Sequence, residues 1–293
     1  MSAPSDRDDR GPSGRKAAVG AVSLRDVGQV FRRQDRHEIV LKSCSFDVEP
    51  GRLTVLSGPS GCGKSTIVNL IAGYRRPTLG SITIDGAAVD GPGPDRTTVF
   101  QETALFPWMT LLQNVVFGPL EQGRDRRTTE AEATALLARV GLKGFESRFP
   151  SQVSGGMQRR AEVARAFIND PKVMLLDEPF RGLDHMSRGL MQEYYSGLFD
   201  DSRTTSLFVT SEVDEAIFLA DRIVVLSYKP TQVKAIVDVP LERPRRFHML
   251  TSDEYGRLKA RIIGLLYEEA VKGFSVGAVE SAAMQSMLNA ASR

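Results

Sequence analysis

The sequence predicts an α/β fold: a mostly parallel sheet covered by helices, with an N-terminal antiparallel β subdomain and an inserted helical subdomain. Three observations predict it. After residue 170, short apolar runs alternate with segments of helical period, the order that builds a parallel sheet with crossover helices. Leu53-Thr54-Val55-Leu56 runs directly into a glycine-rich loop and then a helix-forming stretch. Between Glu102 and about Asn169 the strand pattern stops and helical periodicity takes over.

Residues 1–20 carry Pro, Ser, Gly and mixed charge (Asp6, Arg7, Asp8, Asp9, Arg10), leave little to bury and are expected to form a flexible tail. Segments 21–32 and 38–48 read as strands parted by the polar loop 33–37. Pro50-Gly51 then turns the chain into the strand at 53–56. A helix is expected from Lys64 to about Ala72, and strands at 81–84 and 97–100 around a Gly/Pro-rich turn at 90–94. In the insertion, Thr129-Glu130-Ala131-Glu132 has capping-box spacing and opens a stripe of Ala133, Leu136, Leu137 and Val140. Met157, Ala161, Ala164 and Phe167 form a second stripe. Strands at 173–176, 206–210 and 223–226 alternate with helices at 186–198 and 213–220. Thr251-Ser252-Asp253-Glu254 again has capping-box form and opens the stripe Tyr255, Leu258, Ile262, Leu265, which ends near Gly273. The residues beyond hold at most one further weak helix. The expected division is a tail at 1–20, a main domain at 21–245 with its helical insertion at about 102–169, and a C-terminal helical extension at 246–293.

Composition sets outer bounds. With 293 residues, 41% hydrophobic and 25% charged, the chain has ordinary globular make-up, enough for about two folded units or one large domain with an insertion. No apolar run approaches the roughly 18 residues of a membrane helix, and the N-terminus has no signal-peptide core, so the chain is expected to be neither secreted nor membrane-spanning. Lys and Arg number 38 against 36 Asp and Glu, too near balance for the basic face of a nucleic-acid protein, and no nucleic-acid partner is expected. Two cysteines, Cys44 and Cys62, make no disulfide framework, and a reducing compartment is the natural reading.

The strongest local signal is Gly58-Pro59-Ser60-Gly61-Cys62-Gly63-Lys64-Ser65-Thr66, which fits G-x-x-x-x-G-K-[ST] directly after an apolar strand. Its glycines let backbone N–H groups converge on phosphate oxygens, and a helix starting at Lys64 brings its positive dipole end to the same point. Lys64 would neutralise the β- and γ-phosphates of a nucleotide, and the Ser65 hydroxyl would ligate Mg²⁺. Cys62, inside this loop, reads either as a thiol made acidic by those N–H groups or as an inert small residue filling space. Val173-Met174-Leu175-Leu176-Asp177-Glu178 is a central strand ending in two carboxylates, where open α/β sheets bind ligands. Asp177 would hold Mg²⁺ through water, and Glu178 would polarise the attacking water.

Two further motifs narrow the choice among P-loop NTPases. Val153-Ser154-Gly155-Gly156-Met157-Gln158, at the start of a helix upstream of Asp177, resembles the signature sequence LSGGQ of ATP-binding cassette (ABC) transporter ATPases. Val99-Phe100-Gln101-Glu102, followed by Leu105-Phe106-Pro107-Trp108, is similar to the Q-loop of that family. The resemblance covers roughly residues 21–245. It implies that Gln101 reaches toward Mg²⁺ and the attacking water, and that Ser154, Gly155 and Gly156 clamp a nucleotide held by another subunit. It implies further that Asp184, in Arg181-Gly182-Leu183-Asp184, lies at the dimer seam and that Phe31 stacks on adenine. The only tryptophan, Trp108, then either faces a permease or packs in the core. The Leu-Phe-Pro-Trp sequel, the Ser-Gly-Gly-Met form and the segment 214–222 look like the nitrate/sulfonate/taurine importer group. Two positions depart from the family pattern: Ser211 stands where a His normally senses the γ-phosphate, and Arg181 replaces a small residue.

What the resemblance implies is the ATP-binding subunit of an ABC importer, peripheral on the cytoplasmic face of the membrane. It would bind ATP and Mg²⁺, form a homodimer around two nucleotides, and hydrolyse them with Glu178 as base. Separate transmembrane permease subunits and an extracytoplasmic solute-binding protein would complete the system, and a sulfonate- or nitrate-like anion would be the cargo. A low-turnover regulatory cassette is the alternative that Ser211 favours. A soluble ABC ATPase acting on DNA or ribosomes usually carries two cassettes or a long coiled-coil insertion, which this chain lacks.

Overall fold

The computed structural model describes residues 19–33 and 36–291; the tail expected at 1–20 lies outside them but for its last two residues, as does the centre of the loop at 33–37. The elements, in order, are β1 (Val22–Arg33), β2 (Arg36–Val48), β3 (Leu53–Ser57), α1 (Lys64–Ile71), β4 (Leu79–Ile84), β5 (Ala87–Ala88), β6 (Arg96–Val99), α2 (Leu111–Glu121), α3 (Arg126–Arg139) and α4 (Gly155–Ile168). They continue with β7 (Val173–Asp177), α5 (His185–Ser202), β8 (Thr205–Val209), α6 (Val213–Leu219), β9 (Arg222–Leu226), β10 (Thr231–Asp238) and α7 (Asp253–Ala291).

The strands form one curled sheet in the order β5-β4-β1-β2-β10-β9-β3-β8-β7-β6. β6, β7, β8, β3 and β9 run parallel, whereas β1 pairs antiparallel with both β2 and β4. The expected α/β architecture is therefore present, with α2, α3 and α4 lying between β6 and β7. Each face of the parallel sheet has its own core. Leu53, Val55, Met174, Leu176 and Phe208 pack against the helical side, while Leu56, Val173, Leu175, Leu207 and Val209 pack toward α1 and the antiparallel strands. Burial on both faces is why these strands read as unbroken apolar runs.

Three local expectations are corrected. α3 starts before Thr129: Asp125 is its cap, accepting from the Thr128 N–H, and the Thr129 hydroxyl donates back to the Asp125 carbonyl from within the helix. α7 is capped by Ser252, whose hydroxyl accepts from the Tyr255 N–H, rather than by Thr251. It runs unbroken to Ala291 instead of ending near Gly273. β10, for which the sequence analysis sets no element, pairs parallel to β2 and antiparallel to β9 and so joins the two parts of the sheet. Among the described residues no helix is long and apolar enough to cross a membrane.

Candidate functional site

The fully buried β3 delivers the chain into the phosphate loop. Gly61 and Gly63 there have φ of +74° and +99°, and a Cβ on Gly63 would sit 2.7 Å from a Val40 methyl, so glycine is required for backbone geometry and space together. α1 begins at the next residue, so the N–H groups of its first turn face the loop without helical acceptors. Lys64 Nζ donates to the carbonyls of Gly58 (2.8 Å) and Pro59 (3.0 Å), which fold the long side chain back over the loop.

Cys62 lies in this loop between Gly61 and Gly63. Its side chain is fully buried against the core rather than turned to the loop's open face, and its N–H is bonded to the Pro59 carbonyl (3.2 Å). Burial pushes its thiol up, more than the nearby Lys64 ammonium and the loop N–H groups can lower it. Of the two readings, the inert, space-filling residue is the one the packing supports.

Asp177 is the last residue of β7. Burial holds its carboxyl above the ordinary range, opposed by a hydrogen bond with Ser65, and Glu178 beside it pushes the same way as burial. Its Oδ1 is buried with no hydrogen-bond partner. A desolvated carboxylate oxygen next to a hydroxyl is a donor set suited to a hard divalent cation. Glu178 follows at φ +44°, a conformation rare for a branched-free but bulky side chain, and its N–H is tied to the Val209 carbonyl (3.0 Å). Its two carboxylate oxygens are both engaged: Oε1 accepts from Ser211 Oγ (2.8 Å) and Oε2 from Arg181 Nη1 (3.0 Å).

One cleft of about 510 Å³ gathers Phe31, Lys64, Ser65, Gln101, Glu178 and Arg181. Ser60, Gly61, Gly63 and Thr66 line it as well. The Arg75 guanidinium covers one face of the Phe31 ring at 5.1 Å. A larger cavity, about 620 Å³, lies between α3 and α4, but its arginines Arg124 and Arg139 are ion-paired with Glu132 and Asp201 and none of the motif residues reaches it.

Four expected residues, Ser154, Gly155, Gly156 and Asp184, stand apart from this cleft. Ser154 and Gly155 are exposed at the start of α4, where Ser154 Oγ accepts from the Met157 N–H; Gly156 follows in the first turn. Asp184 caps α5, accepting from the N–H groups of Met186 (3.1 Å) and Ser187 (3.0 Å). The structure also holds a feature sequence reasoning missed. Arg159, buried on α4, donates to the carbonyls of Phe100 (2.7 Å) and Gln101 and pairs with the buried Glu162 (2.5 Å), whose other oxygen accepts from the Ala104 N–H. This pair fixes the backbone that presents Gln101. Nothing in the helical stripe signalled it, because charged residues off an apolar stripe read as solvated. Trp108 is 69% exposed and stacked on Phe106, which rules out the core reading.

A sequence profile of the ABC transporter family matches residues 41–181. An uncharacterized ABC transporter ATP-binding protein of Methanocaldococcus jannaschii is 39% identical over 251 residues, spanning 86% of this chain and 93% of that protein. The chain belongs to the ABC transporter ATP-binding family. Further relatives of the cassette include a nitrate import ATP-binding protein of Synechococcus elongatus, 40% identical over 79% of this chain and 36% of its own. An aliphatic sulfonates import ATP-binding protein of Bacillus thuringiensis is 36% identical over 83% of this chain and 94% of its own. Among solved structures, a dimeric ATP-binding cassette in a post-hydrolysis state, bound to ADP and Pi, superposes with a TM-score of 0.66. It is 27% identical and covers 75% of this chain and 100% of that one. The cassette is thus an ABC-type P-loop ATPase domain with importer-type relatives, in agreement with the fold class and family that the motifs implied.

Proposed function

We propose that this cassette binds ATP with Mg²⁺, pairs with a second copy around two nucleotides, and hydrolyses them to drive a separate membrane permease that imports a small anion. The observation that carries this reading is the convergence of Lys64, Ser65, Gln101 and Glu178 on one cleft. The β- and γ-phosphates would lie on the loop 58–66, facing the Lys64 ammonium and the first turn of α1. Phe31, with one ring face under Arg75, would offer the other to adenine. Ser65, Asp177 and Gln101 would hold Mg²⁺, which neutralises charge on the phosphate oxygens. Glu178 would take a proton from water as the water oxygen bonds to the γ-phosphorus; the bond from phosphorus to the bridging oxygen breaks and leaves on ADP.

Ser154, Gly155, Gly156 and Asp184 stand outside that cleft, so a second cassette would supply these residues across a shared nucleotide. The exposed Trp108–Phe106 pair would meet the permease, placing the cassette on the cytoplasmic face of the membrane. Relatives named for nitrate and aliphatic sulfonates support an anionic solute, delivered by an extracytoplasmic solute-binding protein. The alternative is a regulatory cassette of low turnover, favoured by Ser211, whose short neutral hydroxyl replaces the imidazole that the resemblance leads one to expect. Steady-state phosphate release tests both: the parent should exceed Glu178→Gln by at least about 100-fold. Tight ATP binding with release no faster than that control would select the regulatory reading.

A further inference from the structure

We propose that Arg181 is a second cationic ligand of the γ-phosphate in this cassette, beside Lys64. Its guanidinium leaves Glu178 for the γ-phosphate when ATP binds, so that Arg181 both distinguishes ATP from ADP and uncovers the catalytic carboxylate. The inference rests on the reading above, in which the nucleotide phosphates lie on the loop 58–66.

Each Glu178 oxygen carries one hydrogen bond, from Ser211 on Oε1 and from Arg181 on Oε2, and the guanidinium's positive charge lowers the basicity of the carboxylate. A water that is to give up its proton to Glu178 needs that basicity. The two donors differ in freedom. Ser211 is a short side chain two residues past the end of β8, whereas Arg181 is long and its side chain is 62% exposed against 15% for Glu178. Glu178 itself is pinned by its N–H bond to Val209 at a φ of +44°. Arg181 is therefore the partner that moves.

Where it can move is set by the walls around it. Arg181 lines the cleft that holds Ser60, Lys64 and Gln101, and it also lines the adjoining hollow formed by Arg188, Ser211, Glu212 and Glu215. The acids of that hollow are engaged elsewhere: Glu212 with Arg188 at 3.3 Å, and the buried Glu215 with Gln192 at 3.1 Å. On the cleft side the competing anion is the γ-phosphate. It carries up to two negative charges and three oxygens, which suit the guanidinium fork for two parallel hydrogen bonds, whereas Glu178 now takes a single guanidinium nitrogen, Nη1 on Oε2. ADP offers no such anion, so with ADP the guanidinium stays on Glu178. The substrate itself thereby frees Oε2 for water. A cation at 181 also answers the departure at 211, since a serine hydroxyl contributes one neutral hydrogen bond and no charge.

The test compares the parent with Arg181→Ala and Arg181→Lys, using displacement of a fluorescent nucleotide by ATP and by ADP together with steady-state phosphate release. Lys64→Ala serves as the phosphate-loop control. Arg181→Ala should weaken ATP binding about tenfold and ADP binding less than about twofold, because only the triphosphate loses a charge-assisted contact. Turnover at saturating ATP should fall about 100-fold, as for loss of one transition-state donor. Arg181→Lys should restore part of the ATP preference. Equal weakening of ATP and ADP, or turnover that rises in Arg181→Ala, overturns the proposal, the latter because Arg181 would then only restrain Glu178. The two readings fail separately. If Lys64→Ala leaves both affinities unchanged, the placement of the phosphates is wrong. If Lys64→Ala abolishes binding while Arg181→Ala treats both nucleotides alike, the cassette reading stands and the role of Arg181 does not.

Discussion

At the scale of single residues, the phosphate loop shows how burial can overrule local polarity. Cys62 sits among N–H groups and two residues before Lys64 in sequence, the setting that acidifies a thiol, yet it is fully buried in the core. Cys44, also fully buried, is pushed up to about 12 by burial and by its neighbour Cys62. Iodoacetamide should therefore label neither cysteine in the folded protein at a rate comparable to that in urea, and saturating ATP should make no difference. Peptide mass spectrometry after timed labelling checks this; fast labelling of Cys62 blocked by ATP would restore the acidic-thiol reading. Arg181 and Ser211 teach the opposite lesson. Both are visible in the sequence as departures, but only their shared hold on Glu178 gives the departures a common chemistry.

At the scale of elements, α4 carries two functions on one helix. Its exposed start displays Ser154 and Gly155, and its buried face holds the loop of Gln101 through Arg159 and Glu162. Burial shifts both members of this pair toward neutrality, Arg159 downward and Glu162 upward, while each opposes the shift of the other. Removing one partner leaves the other charged and desolvated. Arg159→Met is expected to cost about 3–5 kcal/mol in urea unfolding. Arg159→Met/Glu162→Met should recover only part, because the carbonyls of Phe100 and Gln101 and the N–H of Ala104 lose their partners as well. α7 is docked by a second buried carboxylate. Burial alone would raise Glu269, but hydrogen bonds from Lys272, Lys234 and the Tyr228 N–H outweigh it and hold the group at about 2, below its ordinary 4.5. A lowered folded-state value stabilises the fold above the unfolded value and loses that contribution as pH falls from about 4.5 toward about 2. Glu269→Gln should lower the urea midpoint at neutral pH and flatten its decline across that acid range. A decline of unchanged slope would assign it to other carboxylates.

At the scale of the whole molecule, the proposed dimer makes the cleft half of a site. The loop 58–66 and Glu178 face one cavity, while Gly155 lies on open surface, where an added Cβ would meet nothing within 4 Å. Gly155→Asp should accordingly leave the monomer's fold and its ATP affinity within about twofold of the parent. It should still prevent ATP-dependent dimerisation, since a carboxylate would face the partner's γ-phosphate. Glu178→Gln should accumulate the ATP-bound dimer, because it removes the base and keeps the phosphate contacts. Light scattering behind size exclusion, with and without ATP, reads both. A Gly155→Asp protein that dimerises as well as Glu178→Gln would remove the signature surface from the interface.

Much of this protein was legible in the chain itself, where a function depends on residues close in sequence. The phosphate loop, Asp177 and Glu178 at the tip of an apolar strand, and the Ser-Gly-Gly helix start were readable because loop, strand and cap geometry is set by neighbours within a few positions. The alternation of β3, β7, β8 and β9 with helices was readable because burial on both faces leaves unbroken apolar runs. What only the tertiary structure decided joins distant segments. Where β10 pairs, parallel with β2 and antiparallel with β9, is set by segments far from it in sequence. Cys62 is buried because residues from other segments enclose it. Arg159 reaches the backbone of Gln101, and Ser211 reaches Glu178, across separations no local pattern encodes. A hydrogen bond between side chains far apart in sequence leaves no mark on either neighbourhood, so it exists only once the chain has folded.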